Sequence, residues 1–124
     1  MAHVEGTQNE AAGDFSHAEG SYTKATGVRG HAEGWGTMAT ANTQHVQGKY
    51  NYLDKAGSAG NYAHIVGNGD SDDKRSNAHT LDWSGNAWFA GDVTATKANG
   101  ESVSLLEVAS AVETANVVVG QTTE

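Results

Sequence analysis

Four histidines and three glutamates carry the most legible chemistry in this chain. His3, His17, His31 and His45 stand fourteen residues apart, and each opens the same phrase: His3-Val4-Glu5-Gly6, His17-Ala18-Glu19-Gly20, His31-Ala32-Glu33-Gly34 and His45-Val46-Gln47-Gly48. Side chains two apart in a strand share a face. Stacked copies of the phrase therefore build one ladder of imidazoles and another of Glu5, Glu19, Glu33 and Gln47. Imidazole and carboxylate together bind divalent ions, which makes the four histidines metal candidates. The same ladder needs no ion if each His hydrogen-bonds a Glu on a solvated face. A repeat copies any residue that fits, so identity down a column is weak evidence for a ligand. The sequence favours the solvated ladder and assigns no metal and no cofactor. A third reading places this face against neighbouring chains.

Other chemistry is sparse. The polar run NGDSDDKRSN holds Asp70, Asp72 and Asp73. A calcium loop of the EF-hand kind needs Gly at its sixth position and Glu at its twelfth; counted from Asp70 these are Arg75 and Leu81. The run reads as a solvated loop. No Cys is present, which excludes disulfides, thiolate metal sites and a thiol nucleophile. There is no Gly-x-Ser-x-Gly elbow and no phosphate loop. None of Asp70, Asp72, Asp73, Asp82, Asp92 or the Glu ladder lies in a motif that would set two acids in an apolar pocket, so no catalytic residue is assigned. Tyr22, Trp35, Tyr50 and Tyr52 interrupt the outward columns with large aromatics. They read as a surface contact patch or as packing between chains.

The elements that carry these side chains follow from the period. Fourteen residues with recurrent Gly suit two short strands and two tight turns, too few for a helical hairpin. One set of alternate columns is almost all small: Ser16 and Gly30; Val4, Ala18, Ala32 and Val46; Gly6, Gly20, Gly34 and Gly48; Asn9, Thr23, Thr37 and Asn51; Ala11, Ala25 and Ala39; Gly13, Gly27 and Ala41. The expected fold is mainly β, a thin solenoid with a miniature core facing these columns. Gln44, Leu53 and Lys55 depart from the pattern, so the coils end or change near Asp54.

The pattern Ser16-x-Ala18-x-Gly20-x-x-Thr23-x-Ala25-x-Gly27 resembles the head repeat of trimeric autotransporter adhesins. The match is close over residues 2–48 and implies a left-handed parallel β-roll with three chains side by side. Further on, YAHIVGNGDSDDKRSNAHTLDWSGNAWFAGDV, from Tyr62 to Val93, resembles a segment common in tail-fibre and tail-appendage proteins of phages and prophages. That resemblance implies a virion tail, extracellular in action and assembled in the host cytoplasm. It also implies neighbouring tail-fibre segments and a host-surface glycan or protein as partners.

Composition supports oligomerisation. The chain has 124 residues, with 16 Gly and few large aliphatics, and short core-poor chains usually gain stability from partners. A net charge of −8 opposes binding to nucleic acid or anionic lipid. No apolar run reaches the length of about 20 residues that spans a membrane. No signal peptide opens the chain, and Met1 falls in mid-repeat, as expected of a fragment cut from a longer fibre. Three regions are expected: residues 1–56 as the β-roll, 57–100 as a final coil, polar loop and Trp-rich hairpin, and 101–124 as a short helix. Ala63-His64-Ile65-Val66-Gly67 repeats the phrase after a five-residue insertion at the loop AGSAGN. Leu81 and Trp83 lead into a turn at Ser84-Gly85, with Trp88 and Phe89 on the return. Residues 94–100 read as a linker, and Ser104-x-x-Glu107 as a capping box. Leu105, Val108, Val112, Ala115 and Val119 form an apolar stripe of coiled-coil spacing, read as the trimerisation surface of a homotrimer. Val117-Val118-Val119 is expected to fray or become extended. The expected function is a non-catalytic structural or adhesive tail segment. The alternatives are the head of a bacterial trimeric adhesin and a glycan-cleaving or self-cleaving tail enzyme.

Overall fold

The computed structural model describes the backbone of residues 1–122 and the side-chain surroundings of residues 1–115. The chain forms two compact units, residues 1–90 and the remainder from Gly91. The first is a β-solenoid. Three coils each contribute a long and a short strand: β1 (His3–Thr7) and β2 (Glu10–Ala11), β3 (His17–Ser21) and β4 (Lys24–Ala25), β5 (His31–Trp35) and β6 (Met38–Ala39). The long strands stack in parallel as β1-β3-β5 and continue into β7 (His45–Lys49) and β8 (Tyr62–Asn68), while β2-β4-β6 form a second face. Register follows the phrase: His3 pairs with His17, His17 with His31, His31 with His45 and His45 with His64. The five-residue insertion is absorbed by the loop after Asn51, leaving the fifth phrase in register. The sheet then reverses through β9 (Asn77–Asp82) and β10 (Ala87–Phe89), both antiparallel.

The interior is the small-residue set. Ala18, Ala25, Ala32, Ala39 and Ala41 are fully buried with Thr23, Thr37 and Val46, and Ile65 closes the stack. A coil this narrow has no room for large aliphatics, so backbone hydrogen bonds between coils carry much of the cohesion. His17 N donates to Gly30 O and His31 N to Gln44 O, both at 2.9 Å. Asn side chains replace missing backbone partners at the ends of one column. Asn9 Oδ1 accepts from Thr23 N at 2.8 Å, and Asn51 Oδ1 accepts from Met38 N at 2.8 Å.

Three features depart from the sequence expectation and one extends it. The Gly6, Gly20, Gly34 and Gly48 column does not face the interior; these residues are exposed and sit at positive φ. A Cβ on Gly34 would stand 2.0 Å from the carbonyl oxygen of Gly48 in the next coil, so the column is glycine because of conformation and close approach. At the end of the coils, where Leu53 and Lys55 break the pattern as expected, Asp54 is buried, at 5 % exposure. Its Oδ2 accepts from Gln44 Nε2 at 2.9 Å, Asn61 N at 2.7 Å and Tyr62 N at 2.9 Å. The polar run is not simply solvated. Arg75 folds back under it, donating to Gly36 O at 2.9 Å and Asn51 O at 3.2 Å, with its guanidinium over Tyr50. Residues 94–100 are no linker, because β11 (Thr94–Thr96) pairs with β12 (Ser102–Ser104).

In the second unit, α1 spans Leu105–Thr122. The cap expected from Ser104 forms, its Oγ accepting from Glu107 N at 3.2 Å. Asp92 Oδ1 accepts from Leu106 N at 3.0 Å. The helix runs through Val117-Val118-Val119, which are therefore helical and not extended, because intrahelical propagation outweighs the modest β preference of valine. Leu105, Val108, Val112 and Ala115 are exposed, and Val119 lies outside the residues with described side chains. Among the described residues no helix is long and apolar enough to cross a membrane.

Two substitutions test this packing. Ala25→Leu should lower stability by about 1–3 kcal/mol through overpacking, while Lys24→Ala, one residue away on the outer face, should stay within about 0.5 kcal/mol. Equal effects on thermal melting would reverse the assignment of faces. Gly34→Ala should lose more than Gly57→Ala. Both residues have positive φ, worth about 1–3 kcal/mol of strain for alanine, but a Cβ at Gly57 meets nothing within 4 Å.

Candidate functional site

Parallel registration lines up five imidazoles on the outer face of the long-strand sheet, and His79 on the antiparallel β9 adds a sixth. Ring centroids lie 4.7 Å apart for His3 and His17, 4.5 Å for His17 and His31, 4.6 Å for His31 and His45, 5.2 Å for His45 and His64, and 5.7 Å for His64 and His79. His79 continues onto Phe89 at 4.5 Å. The period announces five of these histidines. His79 was missed, because it arrives on the antiparallel return, where the spacing no longer applies.

Carboxylates thread the ladder. His45 Nε2 meets Glu33 Oε1 at 2.9 Å. Glu19 stands between two rings, Oε2 3.5 Å from His17 Nε2 and Oε1 3.6 Å from His31 Nε2, and Glu33 Oε2 lies 4.0 Å from His31 Nε2. The His45 hydrogen bond, opposed by partial burial, holds the Glu33 carboxyl below its ordinary pKa. His64 is also lowered, first by burial and then by the neighbouring His45 and His79. The Glu column has given way to Gln47 and Val66 beside it, and the Glu33 charge offsets these effects only in part. The Nε2 atoms of His17, His31 and His64 are shielded from solvent and make no hydrogen bond.

The aromatic residues do not form one patch. Tyr22 and Tyr50 occupy left-handed corners two coils apart, at φ 57° and 38°, with Gly36 at the corner between them. Trp35 packs edge-on against Tyr50 at 5.0 Å, and Tyr50 in turn lies under Arg75. Tyr52 is separate and 63 % exposed. It lines an open groove of about 740 Å³ with Tyr62, Asn77, Asp82, Asn86 and Trp88. Sequence reading pointed to Tyr52 alone among these as a contact residue. The groove exists because the hairpin β9–β10 turns back beside the loop after Asn51, a juxtaposition that no local pattern encodes. Asp82 and Asp92 are engaged structurally. Asp82 Oδ1 accepts from Ser84 N at 2.9 Å and Asn86 N at 2.8 Å, holding the hairpin turn and keeping its pKa low, and Asp92 caps α1.

No protein-family model matches the chain, and no match was found among curated proteins or among solved structures.

The lowered pKa of His64 sets a sign for pH dependence. The unfolded chain takes up this proton near the ordinary value of 6.5, before the folded chain does. Stability contributed by keeping the ring neutral is therefore lost as pH falls below that value. Glu33 acts in the same direction at lower pH, since its stabilisation is present above pH 4.5 and is lost as pH falls through its depressed folded value. The melting temperature in EDTA should drop between pH 7.5 and 5.5. His64→Gln should flatten that drop, and an unchanged slope in the variant would remove His64 as its source.

Proposed function

We propose that this chain is a non-catalytic, homotrimeric structural and adhesive segment of a phage tail fibre or receptor-binding appendage, supporting attachment to a host surface. In this reading the coils are fourteen-residue turns of a left-handed β-roll. Three rolls lie side by side, and α1 joins its two partners in a short parallel coiled coil. The observation that carries the reading is the exposed stripe on α1. Leu105, Val108 and Val112 are 56 %, 44 % and 53 % exposed, with Ala115 following at the same spacing. An apolar seam of about two heptads is marginal for a lone helix in water and suits a coiled coil. The Ala and Thr interior of the solenoid adds support, since a core this thin gains from partner chains.

The adhesive part of the reading draws on the groove. Aromatic faces of Tyr52 and Trp88 beside Asn77, Asn86 and Asp82 combine apolar stacking with hydrogen-bonding groups, a lining suited to a host-surface glycan. Neighbouring tail-fibre segments are the other expected partners, and the virion tail is the expected location. Of the acids outside the Glu ladder, Asp82 holds the hairpin turn, Asp92 caps α1, and Asp70 and Asp72 pair with Lys49 and Arg75.

Light scattering at micromolar concentration should give about three times the chain mass, and a stable monomer would overturn the trimer. Val108→Asp would bring three carboxylates into the seam. Unpaired buried charge is costly, and like charges repel. Their folded pKa values would rise, so the trimer of this variant should be stable at pH 4 and dissociate as pH rises towards 8. A variant that melts like the parent at pH 8 would remove this stripe from the trimer core. For function, labelled protein should bind host cells saturably and lose binding with Trp88→Ala. Release of reducing sugar from cell wall would instead indicate an enzyme.

A further inference from the structure

We propose that the outer ladder holds one zinc ion per chain, bound by His17, Glu19 and His31. The site is made by registration alone. His17 and Glu19 share a face of β3, and His31 is the in-register partner of His17 on β5. Their donor atoms lie within 4.8 Å of one another. Glu19 offers one oxygen to each ring, at 3.5 Å to His17 and 3.6 Å to His31. These are not hydrogen-bond distances. Zinc ligands at about 2.0–2.1 Å from the ion stand about 3.3 Å apart at tetrahedral corners, so the two His–Glu separations need only a small contraction around a cation, and the two rings turn towards it. Two imidazoles and a carboxylate leave the fourth position to water.

Two further observations point to a cation. The Nε2 atoms of His17 and His31 have no hydrogen-bond partner although solvent does not reach them, and orphaned polar atoms of this kind are costly. The parallel register also sets Glu5 beside Glu19 and Glu19 beside Glu33. Like charges directly across a sheet are destabilising, and an ion between the rings offsets this. The neighbouring group of His31, Glu33 and His45 also gathers within 4.8 Å. It is the weaker site, because His45 Nε2 is already hydrogen-bonded to Glu33. Since both groups need His31, filling one empties the other, and the stoichiometry is one rather than two.

The test is calorimetric titration of zinc chloride into untagged, chelator-stripped protein, with thermal melting followed by circular dichroism. The expected result is one saturable site per chain, a melting temperature raised by several degrees, and reversal by EDTA. His17→Gln and His31→Gln should each abolish the binding heat, while His64→Gln and His45→Gln should retain it. Should either loss variant fail to show the parent dichroism spectrum, Glu19→Gln carries the same test, with an expected loss of affinity of at least tenfold. No saturable heat at millimolar zinc, two ions per chain, or binding that survives His17→Gln overturns the proposal.

Discussion

The solenoid depends on strict registration between successive coils. Every coil donates backbone hydrogen bonds to the next at its strands and back to the preceding one at its corners, where Tyr22 N reaches Thr7 O, Gly36 N reaches Ser21 O and Tyr50 N reaches Trp35 O. A one-residue slip would exchange every inward side chain for an outward one. Interior Ala, outward imidazoles and the Glu file all take their places from this one constraint. The narrow interior is its counterpart. Alanine and threonine permit the two faces of a coil to approach closely, and that closeness keeps the two hydrogen-bonded sheets in step.

Repetition propagates such a structure but cannot end it. The end is built from polar groups that are not part of the repeat. Asp54 gathers Gln44, Asn61 and Tyr62 inside the last turn, and Arg75 threads back to the carbonyls of Gly36 and Asn51. Together they bind the loop and the β8–β9 connection to the coils, so that the sheet turns from parallel to antiparallel. The open groove beside Tyr52 and Trp88 is a product of that turn.

Sequence alone carried the repeat well, because a period is a non-local statement written locally. Inward columns, the fifth phrase, the hairpin at Gly85 and the cap at Ser104 were all legible in residue types and offsets. What escaped depends on distance in space. Asp54 looks like a loop acid until its three donors converge, and Arg75 looks like one charge in a polar run until its partners 39 and 24 residues upstream are known. The exposed glycines were assigned to the wrong face because a small residue serves either tight packing or positive φ, and alternation alone cannot distinguish them. His79 was missed for a related reason, since an antiparallel strand leaves the register that the period describes. The strands flanking Gly100 are three residues each, too short for alternation to rise above linker composition.

The direction of the hydrogen bonds has a mechanical consequence. They run along the stacking direction, from each coil to its neighbour, and the chain enters and leaves every coil at a corner. Force applied through the two ends of the solenoid therefore loads one interface at a time and peels coils in sequence instead of shearing a whole sheet. The fully bonded coils ahead of the break keep their shape while the released chain lengthens. Under tension this module would yield coil by coil, each step releasing the length of one coil.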